Sequence, residues 1–200
     1  LTLPLFRLIH DSEGEPSARA TADDLADAAT MGEDRGARRL WRRRWLRAVT
    51  AQTLGVHPDI IEIERLATGG CAIRGPVPLY ASLSGRGAWT AVALAEHSVG
   101  VDVELYPPER DPPFDLLQPL EQDAILADSE PRRLFLRFWT AREAYLKAQG
   151  RGLDVMPEKV RAARRGEEVA LIEAGHPLAF ATVIERGDAI AAIVELPPEA

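Results

Sequence analysis

The sequence predicts an α+β fold rather than a doubly wound parallel sheet, and three observations carry that prediction. Two segments, residues 88–104 and 178–195, each read as a pair of short apolar strands joined by a polar turn, the pattern of an antiparallel hairpin. Stretches with helical spacing of apolar residues precede the pairs and supply covering helices. The glycine patterns of parallel nucleotide-binding sheets are missing, since no Gly-x-Gly-x-x-Gly follows a strand and no Gly-x-x-x-x-Gly-Lys loop or Gly-x-Ser-x-Gly elbow occurs. The repeated strand pair hints at an internal duplication. At 200 residues, 46% hydrophobic and 28% charged, the chain can bury a core without staples and is not disordered throughout.

In chain order, residues 3–9 form a short strand and residues 11–20 a polar loop. Thr21, followed by Asp23 and Asp24, caps a first helix. A longer helix runs over residues 35–54 and is closed by Gly55. Along it Leu40, Trp41, Trp45, Ala48 and Val49 recur on one side as core residues, leaving most of the arginines to the other as a cationic face. Residues 60–63 make a strand, and residues 68–78, rich in Gly and Pro, an irregular connection. The strands at 88–94 and 99–105 pair as the first hairpin. Residues 106–119 hold five prolines and form a loop that cannot sit inside a sheet. Ser129 and Pro131 open a helix that continues through Gln149 and stops at Gly150. Strands 178–184 and 189–196 make the second hairpin around residues 185–188.

The formal net charge of -7 offers no general attraction to nucleic acid. No apolar run approaches the roughly 20 residues of a membrane helix, so no membrane partner is expected. The opening residues lack the leader and cleavage pattern of a secretory signal, and the expected location is cytoplasmic. The single cysteine, Cys71, excludes an internal disulfide. Charge is segregated along the chain: seven arginines and no acid lie between Arg35 and Arg47, and nine acids against Arg110 alone lie between Asp102 and Glu130. The basic stretch can bind an anion and the acidic one a cation or a basic partner, or both can be solvated faces; composition leaves this open.

Two short segments narrow the choice. In Gly100-Val101-Asp102-Val103-Glu104, strand alternation puts Asp102 and Glu104 on one face and Val101 and Val103 on the other. Two carboxylates so placed repel each other unless a cation lies nearby, and a hard cation such as Mg²⁺ beside substrate phosphates would relieve the conflict. The wet face of an ordinary amphipathic strand has the same pattern. In Trp139-Thr140-Ala141-Arg142-Glu143-Ala144-Tyr145-Leu146-Lys147, Glu143 and Lys147 share a helix face with Trp139 one turn back. That spacing fits a surface ion pair, and it equally offers a third carboxylate to a metal and an ammonium to a phosphate.

Taken together and in this order, the two segments resemble the signature of the 4'-phosphopantetheinyl transferases. There the first reads Gly-[Ile/Val]-Asp-[Ile/Val]-Glu and the second Trp-[Thr/Ser/Cys]-x-Lys-Glu-[Ala/Ser]-x-x-Lys. The continuation Ala148-Gln149-Gly150-Arg151-Gly152-Leu153, with Pro157 after it, is similar to that family's exit from the helix. The resemblance extends over residues 30–160 and, by chain size, is to the larger, monomeric, surfactin-synthetase-activating type. It implies two pseudo-symmetric α+β halves, each an antiparallel sheet packed against helices, here residues 1–98 and 99–200, the second carrying the metal carboxylates.

The resemblance also implies roles. Asp102, Glu104 and Glu143 correspond to the Mg²⁺ ligands, and Lys147 to the phosphate-contacting lysine; Glu143 is also the expected proton acceptor. Arg35, Arg38 and Arg39 fall where the family holds the nucleotide end of coenzyme A. Arg74-Gly75-Pro76 resembles a shortened Gly-Lys-Pro element, and Ser82-Leu83-Ser84-Gly85 the family's Ser-His-Ser element. Two positions depart from the pattern: Leu83 stands where the family has a phosphate-contacting histidine, and Arg142 where it has lysine. The implied activity is Mg²⁺-dependent transfer of 4'-phosphopantetheine from coenzyme A to a serine of an acyl or peptidyl carrier protein, the reaction of a holo-[acyl-carrier-protein] synthase. A non-catalytic carrier-binding homologue with a degenerate coenzyme A site is the alternative.

Overall fold

The computed structural model describes residues 3–66, 70–108, 114–150 and 159–197. The chain begins with β1 (Leu5–His10), followed by the helices α1 (Ala22–Ala29) and α2 (Glu33–Leu54). The strands β2 (Glu62–Arg65), β3 (Cys71–Arg74), β4 (Leu79–Arg86) and β5 (Trp89–Ala95) follow. They form one antiparallel sheet in the order β1-β5-β4-β3-β2. The same sequence of elements then recurs as β6 (Val99–Leu105), α3 (Pro119–Leu126), α4 (Pro131–Ala148), β7 (Arg161–Arg165), β8 (Glu168–Glu173), β9 (His176–Arg186) and β10 (Ala189–Glu195). The second sheet has the order β6-β10-β9-β8-β7. In each, a first strand leads into two helices, and a four-stranded meander returns to lay its last strand beside the first. The α+β class is therefore as the sequence predicts, and the two antiparallel sheets packed against helices are as the resemblance implies.

Period-two alternation stacks the layers. On β5, Trp89, Ala91, Ala93 and Ala95 face an apolar layer shared with Val99, Val101 and Val103 of β6 and with Ala189, Ala191 and Ile193 of β10. The opposite face of β5, Val92 and Leu94, packs with Leu46 and Val49 of α2. On β10, Ile190, Ala192 and Val194 pack with Phe138, Ala141 and Tyr145 of α4. The order is helix, sheet, sheet, helix, and the alanine-rich middle layer lets the sheets approach closely.

This stacking corrects one expectation. Residues 88–94 and 99–105 do not form a hairpin: β5 pairs with β1 and β4, whereas β6 pairs with β10. Their apolar residues meet face to face across the middle layer instead of edge to edge. β5 instead makes its hairpin with β4, and the predicted second hairpin is β9–β10, with glycine at positive φ in each turn, Gly87 at 53° and Gly187 at 59°. Strand β3 forms where an irregular connection is expected, and helix α3, with Pro119 at its first position, occupies residues to which the sequence assigns no element.

The arginine-rich helix is likewise not one cationic face. Arg43 and Arg47 are buried and grip Asp24 of α1, at 2.9 and 2.6 Å. Asp24 also caps its own helix through Thr21, as predicted for that residue, and Arg47 Nε donates to the Ile61 carbonyl. Trp41 and Trp45 are half-buried against each other in an edge-to-face pair. The second sheet has the same clamp. Glu121, third residue of α3, accepts from the Gln118 N–H that precedes the helix and from buried Arg142, whose Nε donates to the Val160 carbonyl at 2.9 Å. Each clamp ties a helix pair to the far edge of its sheet, and removing one partner of such a buried pair typically costs about 3–5 kcal/mol.

Candidate active site

The site is assembled where α4 crosses β6. Gly100 makes the crossing possible: a Cβ there would stand 1.8 Å from the Ala144 carbonyl oxygen and 2.5 Å from the Ala148 nitrogen. Ser98 Oγ, just before β6, donates to the Ala148 carbonyl at 2.7 Å and fixes the end of the helix. With the backbones in contact, Glu143 and Lys147 face the carboxylate side of β6. Val101 and Val103 point into the middle layer, so Asp102 and Glu104 face the other way, as alternation predicts.

Lys147 does not pair with Glu143. Its Nζ donates to Asp102 Oδ1 at 2.6 Å, to Ser84 Oγ at 3.0 Å and to the Val101 carbonyl at 3.2 Å. Ser84 Oγ also lies 2.9 Å from Asp102 Oδ1 as a donor. Ser84 belongs to β4, so the cluster bridges the two sheets.

The carboxylates around this lysine are incompletely satisfied. Asp102 is 6% exposed, and neither its Oδ2 nor the buried Oε1 of Glu143 has a hydrogen-bond partner among the described residues. Burial raises the Glu143 pKa first, the Asp102 charge adds to it, and Lys147 and Arg142 pull back in part. Glu104 is raised by burial and then by Asp102, opposed by Arg86 at 3.2 Å and by Lys147. Orphaned oxygens on Asp102 and Glu143, with Glu104 as a third mutually repelling carboxylate, make a donor set suited to a hard cation, so the three residues fit Mg²⁺ chemically. They do not stand preassembled: among the described residues no three His, Cys, Asp or Glu side chains are gathered into a metal-binding group.

Beside the cluster runs a groove of about 510 Å³ between the first turns of α2 and the end of β4. Arg35, Arg38, Arg39 and Arg42 line one wall, and Leu83, Ser84 and Gly85 the other. Arg38 is held by Asp11 at 2.5 Å and Arg39 by Asp27 at 2.8 Å. Arg35 and Arg42 have no acid partner among the described residues. Arg42 lies across Gly85, where a Cβ would come within 2.1 Å of its Nε. Burial and then the Arg38 charge lower the Arg42 pKa, opposed in part by the Asp11 charge. Ser84 lines the groove and also bonds Asp102 and Lys147, so groove and cluster are continuous.

Of the residues singled out from sequence, Asp102, Glu104, Glu143 and Lys147 meet at the crossing, and Arg35, Arg38 and Arg39 meet in the groove. Leu83 faces the groove. Ser82 does not: it is buried, and its Oγ accepts from the Val101 N–H at 3.0 Å, which registers β4 on β6. Arg74 lies on β3 and pairs with Glu64 of β2 at 2.6 Å, apart from the groove lining. Arg142 turns into the α3 clamp. The expected helix exit at Arg151, Gly152, Leu153 and Pro157 lies outside the described residues. Sequence reasoning missed Arg42 and gave Ser84 and Gly85 no role. Arg42 is one helical turn beyond Arg38, and Ser84 shares the strand face of Ser82, so the spacing held a signal for both.

Residues 98–193 match the 4'-phosphopantetheinyl transferase superfamily. Over 187 residues the chain is 25% identical to the 4'-phosphopantetheinyl transferase HetI of a Nostoc species, which covers 88% of this chain and 78% of that relative. No helix among the described residues is long and apolar enough to cross a membrane.

Proposed function

We propose that this protein is a 4'-phosphopantetheinyl transferase of the larger, two-half, monomeric type, with halves at residues 1–98 and 99–200. It moves the phosphopantetheine of coenzyme A onto a serine of an acyl or peptidyl carrier protein in the cytoplasm and releases adenosine 3',5'-bisphosphate. The observation that carries this reading is Ser84, which joins an arginine-lined anion groove to a buried carboxylate and lysine cluster. A ligand with a phosphate at one end and a reactive pyrophosphate nearer its middle matches that sequence of charges.

In this reading Arg35, Arg38, Arg39 and Arg42 bind the 3'-phosphate and so position the pyrophosphate at Lys147. Lys147 leaves Asp102 for the phosphoryl oxygens, where its charge counts most as negative charge builds in the transition state. The carrier serine Oγ bonds to the phosphorus bearing pantetheine, and the bridging P–O bond breaks with its electron pair leaving on adenosine bisphosphate. Glu143, its basicity raised by burial, accepts the hydroxyl proton. Asp102, Glu104 and Glu143 would hold Mg²⁺, which when bound neutralises the pyrophosphate and the charge on the departing oxygen.

The test is incubation with coenzyme A, Mg²⁺ and a panel of apo acyl and peptidyl carriers, read by intact mass. One carrier should gain one phosphopantetheine on serine with the wild-type protein and none with Asp102→Ala, which should still melt cooperatively. Coenzyme A binding without modification of any carrier would favour the non-catalytic alternative, and full activity in Asp102→Ala would reject the assigned cluster.

A further inference from the structure

The duplicated fold carries its helix-and-strand groove twice, and the copies differ most directly at one strand position facing the arginines. Gly85 on β4 pairs with Thr90, and Glu185 on β9 pairs with Ile190; each lies two positions before a turn glycine, Gly87 or Gly187. Where β9 meets the start of α4 there is a cleft of about 390 Å³ lined by Arg133, Arg137 and Glu185, with Asp128, Glu130 and Glu167 at its margin, Glu130 also pairing with Arg133 at 3.3 Å. Arg133 and Arg137 stand at the same distances before the clamp residue Arg142 as Arg38 and Arg42 stand before Arg47. The two arginine pairs are therefore structural equivalents.

Their partners differ. Glu185 accepts from Arg133 Nε at 2.8 Å, from Arg133 Nη2 at 2.5 Å and from Arg137 Nη1 at 3.2 Å. In the first groove the equivalent position has no side chain, and Arg42 lies over bare Gly85.

We propose that the residue at this position decides which half accepts an anion. Glu185 is a built-in carboxylate that bridges Arg133 and Arg137 of the second cleft, and Gly85, by lacking one, keeps the first groove open to a phosphate or pyrophosphate group. The proposal rests on reading the first groove as an anion site. It makes Gly85 a specificity-determining residue through what it omits.

Calorimetric titration with coenzyme A and with inorganic pyrophosphate, in metal-free buffer, tests this on the wild type, Gly85→Glu, Gly85→Gln and Glu185→Gly, with melting curves for each. Gly85→Glu should weaken both ligands at least about tenfold more than Gly85→Gln, which adds the same bulk without charge. Glu185→Gly should leave coenzyme A affinity unchanged and raise pyrophosphate stoichiometry from one to two; this arm does not depend on the Gly85 variants folding. A wild type that binds neither ligand removes the anion reading and the proposal with it. Wild-type binding with equal losses in Gly85→Glu and Gly85→Gln, or a stoichiometry of one in Glu185→Gly, overturns the proposal alone.

Discussion

Gly100→Ala should separate the helix from the strand that together form the site. The new methyl would stand 1.8 Å from the Ala144 carbonyl oxygen, 2.5 Å from the Ala148 nitrogen and 2.9 Å from the Ala144 carbonyl carbon, all backbone atoms of α4. No side-chain rotation relieves such a contact, so α4 must retreat by about 1.6 Å to reach ordinary van der Waals distance. Overpacking of this kind costs about 1–3 kcal/mol, and contact with backbone puts this case at the upper end. For a chain of this length each kcal/mol corresponds to about 2–4 °C, so the melting temperature should fall by about 6–12 °C. The same retreat stretches the 2.6 Å contact between Lys147 and Asp102, so coenzyme A binding should weaken even well below the melting temperature. Differential scanning calorimetry and coenzyme A titration at 15 °C measure the two effects. A Gly100→Ala protein with the wild-type melting temperature would refute the close crossing, and a destabilised one with unchanged affinity would refute its part in placing Lys147.

Three further outcomes follow from other contacts. Burial by itself would raise the Asp24 pKa, but hydrogen bonds from Arg47, the Thr21 N–H and Arg43 outweigh it and hold the carboxyl at about 2. A lowered folded-state pKa stabilises above the unfolded value and is lost as pH falls, so Asp24 should contribute about 2 kcal/mol that disappears between about pH 4 and pH 2. Urea midpoints against pH should show a shallower acid limb in Asp24→Asn, which should also be less stable at pH 7; an unchanged limb contradicts the assignment. Glu121→Gln leaves Arg142 buried without its charge partner and should cost about 3–5 kcal/mol, whereas the double change Glu121→Leu, Arg142→Met should cost less in the same denaturation assay. Leu83→His puts a nitrogen donor beside the groove arginines and should lower the apparent KM for coenzyme A by up to about tenfold; a well-folded variant with unchanged KM would mean that position 83 does not meet phosphate.

Local signals in the sequence located what is local. Thr21 and Gly55 mark helix ends because capping and left-handed backbone depend only on neighbouring residues, and both act as predicted. The alternation in Val101-Asp102-Val103-Glu104 correctly sorts the faces of β6. It says nothing about the strand's partner, and β6 pairs with β10, most of a half-chain further on, rather than with β5. The arginines of α2 look alike in sequence, yet Arg43 and Arg47 are buried on Asp24 while Arg38 and Arg42 line a groove. Helical spacing cannot distinguish these fates, because they depend on how α1 lies across α2. Strand β7, with three arginines in five residues, lacks the apolar pattern of a buried strand, being half-wet at the sheet edge. Ser82 and Ser84 share a face, but only the packing of β4 on β6 gives one a backbone partner and the other Asp102 and Lys147.

The proposed function requires one ligand to span both features, its terminal phosphate in the arginine groove and its pyrophosphate at the Lys147 cluster. Isothermal titration of coenzyme A and of 3'-dephospho-coenzyme A tests it directly, using the double variant Arg38→Gln, Arg39→Gln beside Lys147→Gln. The arginine variant should lose about tenfold more affinity for coenzyme A than for the dephospho ligand, which lacks the group those arginines hold, whereas Lys147→Gln should weaken both equally. Equal losses for the two ligands in the arginine variant, or undiminished binding in Lys147→Gln, would contradict the account.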